Sequence, residues 1–179
     1  MTIIIADACS NHNGSRETMG QMIRTAAETG VDVIKFQSFQ ADKLNKDWPD
    51  YQKAYEYYKS VELSNLDHAF IIDKCKEYGI EPLFTAFDVD SAMLVNSLGM
   101  RSVKIASPDA NNWPLIEYCL PKFDHIIIST GLHSLDEISN LIERVEIYKS
   151  KVTLLHCVSL YPTPLKQVNL FHMAALMRA

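Results

Sequence analysis

Residues 152–164 read VTLLHCVSLYPTP, and this stretch passes from strand chemistry to turn chemistry within a few positions. The apolar run Val152–Leu155 has the length and composition of a buried strand. It delivers His156, Ser159 and Tyr161 to a loop held by Pro162 and Pro164. Proline presets φ, so such a loop positions side chains at low entropic cost. Taken alone, the phrase also reads as an ordinary strand exit. The strands that precede it give it meaning.

Six short β-branched or apolar runs are found, at 3–9, 31–39, 81–87, 102–107, 125–130 and 152–158. Amphipathic, helix-like segments separate them at 15–30, 64–79, 88–98, 112–120, 134–148 and 166–177. Gly30, Gly79 and Gly99 stand where helix C-caps belong, and Ser134 with Glu137 reads as a capping box. Ser64 with Asp67 is a weaker form of the same signal. Parallel neighbours need a crossover connection, so strand–helix alternation argues for a parallel sheet. The runs are nearly continuously apolar, as expected when both faces of a sheet are covered. Segment 40–63 is aromatic and charged without a clean period. It reads either as a lid or binding loop, or as a surface excursion with a short helix at 51–59. No linker or low-complexity tract interrupts the pattern, which is that of one domain.

Bulk properties narrow the function. A chain of 179 residues can bury one sizeable core. Its net charge of −5, with no basic patch, argues against nucleic acid and against an anionic membrane surface. The start carries no signal-peptide pattern, and no apolar run is long enough to span a bilayer. Cys9, Cys75, Cys119 and Cys157 are scattered without a CxxC pair. That usage fits reduced, mostly buried thiols and a cytoplasmic location, rather than a disulfide frame or a zinc site.

Polar residues that interrupt apolar strands recur at strand C-terminal ends. The first run leads into Asn11-His12-Asn13-Gly14, and the second ends Lys35-Phe36-Gln37. The third ends Thr85-Ala86-Phe87-Asp88, and the fourth carries Lys104, Ser107, Pro108 and Asp109. The fifth ends Ser129-Thr130-Gly131. Both a (β/α) barrel and a doubly wound sheet bind ligands at that edge, so position alone does not choose between them. Lys35 and Lys104 lie within apolar strands, where an ammonium is costly unless an anion meets it. Thr85, Ser107, Ser129 and Ser159 add hydroxyl donors, and small-residue turns can offer backbone N–H groups to phosphate. The set suits a doubly anionic small molecule. The alternative is that each lysine forms a structural ion pair with a neighbouring carboxylate. Asp7 and Asp109 could orient a substrate or move protons, or could cap backbone groups. His12 and His156 could contribute to the same face, though lone histidines are more often structural.

The ordered phrases SNHNG, IKFQSF, ELS, TAFD, VKIASPD, STG and HCVSLYPTP resemble those of the sialic acid synthase family, which includes N-acetylneuraminate, legionaminic and pseudaminic acid synthases. The resemblance implies a TIM (β/α) barrel, present here as about six of its eight units. Residues 1–179 would then be the N-terminal barrel portion, without the family's C-terminal antifreeze-like domain. The implied activity is condensation of phosphoenolpyruvate with an N-acetylmannosamine-like acylated amino sugar. The product is a nine-carbon 2-keto-3-deoxy sugar acid, with release of inorganic phosphate. By position, Lys35, Gln37, Thr85, Lys104, Ser107, Ser129 and Ser159 resemble residues that bind phosphoenolpyruvate, and Tyr161 a tyrosine that contacts the sugar. Asp7 and Asp109 occupy positions of catalytic acidic residues, which are Glu in many relatives. Ala86 and Pro108 depart from the usual Pro and Gly. The family implies a divalent metal, Mn²⁺ or Mg²⁺, whose two histidine ligands come from motifs this chain does not contain; no metal ligand is assigned here. It also implies a homodimer. On this reading the isolated chain lacks full catalysis. Two other readings stay open: a lysine Schiff-base aldolase with Lys104 as nucleophile, and a remnant that binds phosphoenolpyruvate or a partner without turnover.

Overall fold

Helices begin where a side chain satisfies the backbone N–H groups that a first turn leaves free. In the computed structural model, which describes residues 2–177, Ser15 caps α1 (Arg16–Glu28) by accepting from the Thr18 N–H. Capping boxes of Ser64 with Asp67 and Ser134 with Glu137 open α3 (Asn65–Tyr78) and α6 (Leu135–Val145). Asp88 caps α4 (Val89–Ser97), and Asn112 caps α5 (Trp113–Cys119). Each such cap contributes about 0.5–2 kcal/mol.

The strands are β1 (Ile5–Cys9), β2 (Val33–Ser38), β3 (Glu81–Ala86), β4 (Ser102–Ile105), β5 (His125–Ser129) and β6 (Val152–Leu155). They follow one another in sheet order β1-β2-β3-β4-β5-β6. The pairs β1–β2, β4–β5 and β5–β6 are parallel. An order that never reverses lacks the switch point of a doubly wound sheet. This α/β fold is consistent with an incomplete barrel.

The chain divides into two compact units, Met1–Thr85 and Ala86–Ala179. In the first, Met19, Ile23, Ile34, Phe36, Ile71, Cys75, Leu83 and Phe84 are fully buried between strands and helices. In the second, Val95, Val103, Ile105, Leu115, Ile116, Phe123, Ile126 and Ile128 play that part. Across α5 and α6, the Arg144 guanidinium lies 3.3 Å from the centroid of the Trp113 ring and pairs with Glu117 at 3.1 Å.

Segment 40–63 is more ordered than its composition suggests. The helix expected at 51–59 is α2, Tyr51–Val61. Asp42 accepts from Tyr55 Oη and Lys59 Nζ, while Glu62 accepts from Lys59 Nζ and the Ala41 N–H. Tyr58 packs on Phe39 at 5.5 Å and stacks with the half-exposed Trp48 at 6.5 Å. The loop before α1 presses on α2. A Cβ on Gly14, whose φ is +73°, would lie 2.7 Å from the Ser60 carbonyl oxygen.

The C-terminal reading needs correction. The helix expected at 166–177 is a 3₁₀ turn, Leu165–Gln167, followed by α7, Phe171–Leu176. Asn169 sits between them with φ 42°, a left-handed conformation that stops helix propagation. Strand β6 likewise ends at Leu155, three residues short of the expected run. Among the described residues no helix is long and apolar enough to cross a membrane.

Candidate active site

Parallel register decides which side chains meet in the first unit. Asp7 of β1 lies opposite Lys35 of β2, and a bulge between Asp7 and Cys9 follows. Lys35 and Gln37, two apart on β2, share a strand face, and across the bulge Asp7 and Cys9 both reach them. Lys35 Nζ is 2.8 Å from Asp7 Oδ1; the Lys35 side chain is 6 % exposed and that of Asp7 55 %. The Cys9 thiol donates to Asp7 Oδ1 at 2.8 Å and accepts weakly, at 3.8 Å, from Lys35 Nζ and from Gln37 Nε2. Ser10 Oγ donates to Gln37 Oε1 at 2.8 Å. Cys9 itself has φ 48°. The structure thus brings Asp7, Lys35 and Gln37 together and answers the buried ammonium with a carboxylate. Cys9 and Ser10 complete that cluster.

Thr85, at the end of β3, is fully buried, and its Oγ1 has no hydrogen-bond partner among the described residues. An orphan hydroxyl costs free energy, and it is the kind of group a ligand satisfies. His12 is buried against Phe36, with ring centroids 6.1 Å apart. The Gly14 N–H donates to its Nδ1 at 3.1 Å, so the ring proton resides on Nε2. Burial holds the His12 pKa below 6.5, against an opposing pull from Asp67. The His12 Nε2, like Thr85 Oγ1, is buried without a hydrogen-bond partner among the described residues. His68 is structural: Nδ1 faces the Ser64 carbonyl at 2.9 Å and Nε2 the Ser38 hydroxyl at 3.0 Å.

In the second unit, Lys104 lies on β4 opposite Ile127 and is half-buried. The chain after β4 makes a 3₁₀ turn, Ser107–Asp109, with Pro108 within it. Ser107 and Ser129 are buried, and Ser159 is half-buried. The Gly131 N–H donates to Ser107 Oγ at 3.1 Å. Thr130 donates through both N–H and Oγ1 to the Leu155 carbonyl, at 3.1 and 2.9 Å. A Cβ on Gly131 would lie 2.7 Å from Ser159 Oγ. Ser107, Gly131 and Ser159 therefore meet. Burial holds the Asp109 carboxyl above its usual 3.8, with the Asn112 hydrogen bond opposing and the Asp88 charge reinforcing.

Tyr161 is 96 % exposed, with its side chain in solvent. His156 Nε2 donates to the Val168 carbonyl at 2.7 Å, which makes it a tether for the chain after β6. Among the described residues no group of three or more His, Cys, Asp or Glu side chains is placed to hold a metal ion. None of the four cysteines forms a disulfide.

Comparison with known proteins follows this geometry. The N,N'-diacetyllegionaminic acid synthase of Legionella pneumophila is 38% identical, over 97% of this chain and 53% of its own length. The N-acetylneuraminate-9-phosphate synthase of Drosophila melanogaster is 30% identical, over 93% of this chain and 48% of its own. The chain thus spans about half the length of the curated relatives it matches. A crystal structure of N-acetylneuraminic acid synthetase from Leptospira borgpetersenii, in complex with citrate, superposes with a TM-score of 0.91 at 28% identity. It covers 99% of this chain and 62% of that one. The profile of the NeuB family matches residues 22–179, which is most of the sequence, and the chain belongs to that family.

Proposed function

We propose that this chain is the N-terminal portion of a TIM-barrel enzyme that condenses phosphoenolpyruvate with an N-acylated amino sugar. Membership of a family whose similar members are named as legionaminic and N-acetylneuraminate-9-phosphate synthases supports the class of reaction. The observation that carries the substrate assignment is Lys35, an almost fully buried ammonium within β2, beside Gln37 and a half-exposed carboxylate. The Leptospira relative, solved with the polycarboxylate citrate, is in keeping with an anion site.

On this reading Lys35, Gln37 and Thr85, and likewise Lys104, Ser107, Ser129 and Ser159, are phosphoenolpyruvate-binding residues by their positions in the family's motifs. Charge-assisted hydrogen bonds to carboxylate and phosphate oxygens are about twice as strong as neutral ones. C3 of the enol forms the new bond to the sugar's aldehyde carbon, whose oxygen takes up a proton. Water adds at C2, and cleavage of the C2–O bond releases inorganic phosphate. Asp109, held above its usual pKa, is the group we assign to moving that proton. Asp7 orients the Lys35 ammonium. The family's divalent metal finds no donor set of three or more His, Cys, Asp or Glu side chains among the described residues.

The test is a thermal melt of the chain with and without millimolar phosphoenolpyruvate, since a ligand that binds only the folded state must raise its stability. An upward shift lost in Lys104→Ala is the expected result. A cooperative melt that phosphoenolpyruvate leaves in place refutes the assignment.

A further inference from the structure

We propose that Gly131 is a positioning residue for the serine pair Ser107 and Ser159, through which the second unit receives an anionic ligand. The inference rests on the phosphoenolpyruvate reading above.

Gly14, Gly30, Gly79 and Gly99 all have positive φ, the usual reason for glycine; Gly131 does not. Its backbone suits other residues, so what the position demands is space. A Cβ there would lie 2.7 Å from Ser159 Oγ and 3.0 Å from both the carbonyl carbon and Cβ of Cys157. The loop cannot back away, because Thr130 is bonded twice to the Leu155 carbonyl. A Cβ would turn the Ser159 hydroxyl out of its present position and push the Cys157 backbone back by a few tenths of an ångström.

The same residue sets the direction of the other hydroxyl. The Gly131 N–H donates to Ser107 Oγ, which makes that oxygen an acceptor toward Gly131 and leaves its O–H to donate elsewhere. Gly131 therefore lets Ser159 close in and turns Ser107 outward as a donor. Neither effect needs Gly131 to touch the ligand. Displacements of about 1 Å in a positioned group carry losses on the order of tenfold to a hundredfold.

A mutant cycle tests this through phosphoenolpyruvate affinity by calorimetry, with melts run alongside. Gly131→Ala should melt cooperatively and bind at least about tenfold more weakly. Gly131→Ala/Ser159→Ala should bind within about twofold of Ser159→Ala alone, because residues that act through one another are not additive. If Gly131→Ala fails to melt cooperatively, the double variant, which lacks Ser159 Oγ, carries the same comparison. Wild-type affinity in Gly131→Ala, or losses that multiply in the double variant, overturn the inference while leaving the phosphoenolpyruvate reading intact. A wild-type chain that does not bind phosphoenolpyruvate overturns both.

Discussion

Replacing Lys35 by Met separates the two meanings of a buried lysine. Methionine keeps an unbranched stem of similar volume and removes only the ammonium. Because Asp7 is 55 % exposed, water already screens the ion pair, and its loss should cost no more than about 1 kcal/mol. Removing one partner of an ion pair is costly where the other charge is left buried, and the half-exposed Asp7 keeps its hydration instead. The melting temperature in the absence of ligand should therefore move by only about 2–4 °C in a chain of this size. Binding should respond far more. A charge-assisted hydrogen bond is worth about 1.5–3 kcal/mol, or about 10- to 150-fold in affinity. At a phosphoenolpyruvate concentration 100 times the wild-type Kd, ligand stabilises by about 2.7 kcal/mol, a shift of about 5–11 °C. After a 100-fold loss the same concentration gives about 0.4 kcal/mol, or about 1–2 °C. Differential scanning fluorimetry across a ligand series resolves that difference. A Lys35→Met chain that melts far below wild type yet keeps its full ligand shift would show the lysine to be a structural ion pair.

Three further outcomes follow from described contacts. The Asp109 carboxyl has a folded pKa above 3.8, so the native state binds more protons than the unfolded state between 3.8 and the raised value, and stability falls as pH rises through that window. Asp109→Asn should thus raise the melting temperature at pH 7, with the gain shrinking toward pH 4; a pH-independent effect contradicts this. Gly14→Ala combines a φ of +73° with a Cβ 2.7 Å from the Ser60 carbonyl and should cost about 1–3 kcal/mol by urea denaturation; an unchanged midpoint refutes the close approach. Burial pushes the Cys75 and Cys119 thiols up to about 12, so at pH 8 Ellman's reagent should label Cys9 and Cys157 and reach the other two only on unfolding. Four fast equivalents would contradict that.

The sequence pattern carried most of the secondary structure, because its signals are local. A capping serine and its acidic partner three residues on, such as Ser64 with Asp67, need nothing beyond one helical turn. The apolar runs likewise marked all six strands. What escaped depended on distant chain. The Asp7–Lys35 pair joins residues 28 positions apart and exists only through the β1–β2 register. Gly131 gave no sign of the crowding around it, which comes from Ser159 and Cys157 on another strand's exit. Asn169 broke the last helix although its neighbours have helical periodicity, because asparagine tolerates the left-handed conformation.

The chain has two tryptophans, one in each compact unit. Trp48 stacks on Tyr58 and is half open to solvent, while Trp113 lies beneath the Arg144 guanidinium. Two indoles in such different surroundings give the molecule separate optical reporters without any added label. With Trp113→Phe, emission tracks the segment before α2; with Trp48→Phe, it tracks the packing of α5 on α6. Coincident transitions in the two variants would mean the units unfold as one cooperative body, and separated transitions would give each unit its own stability.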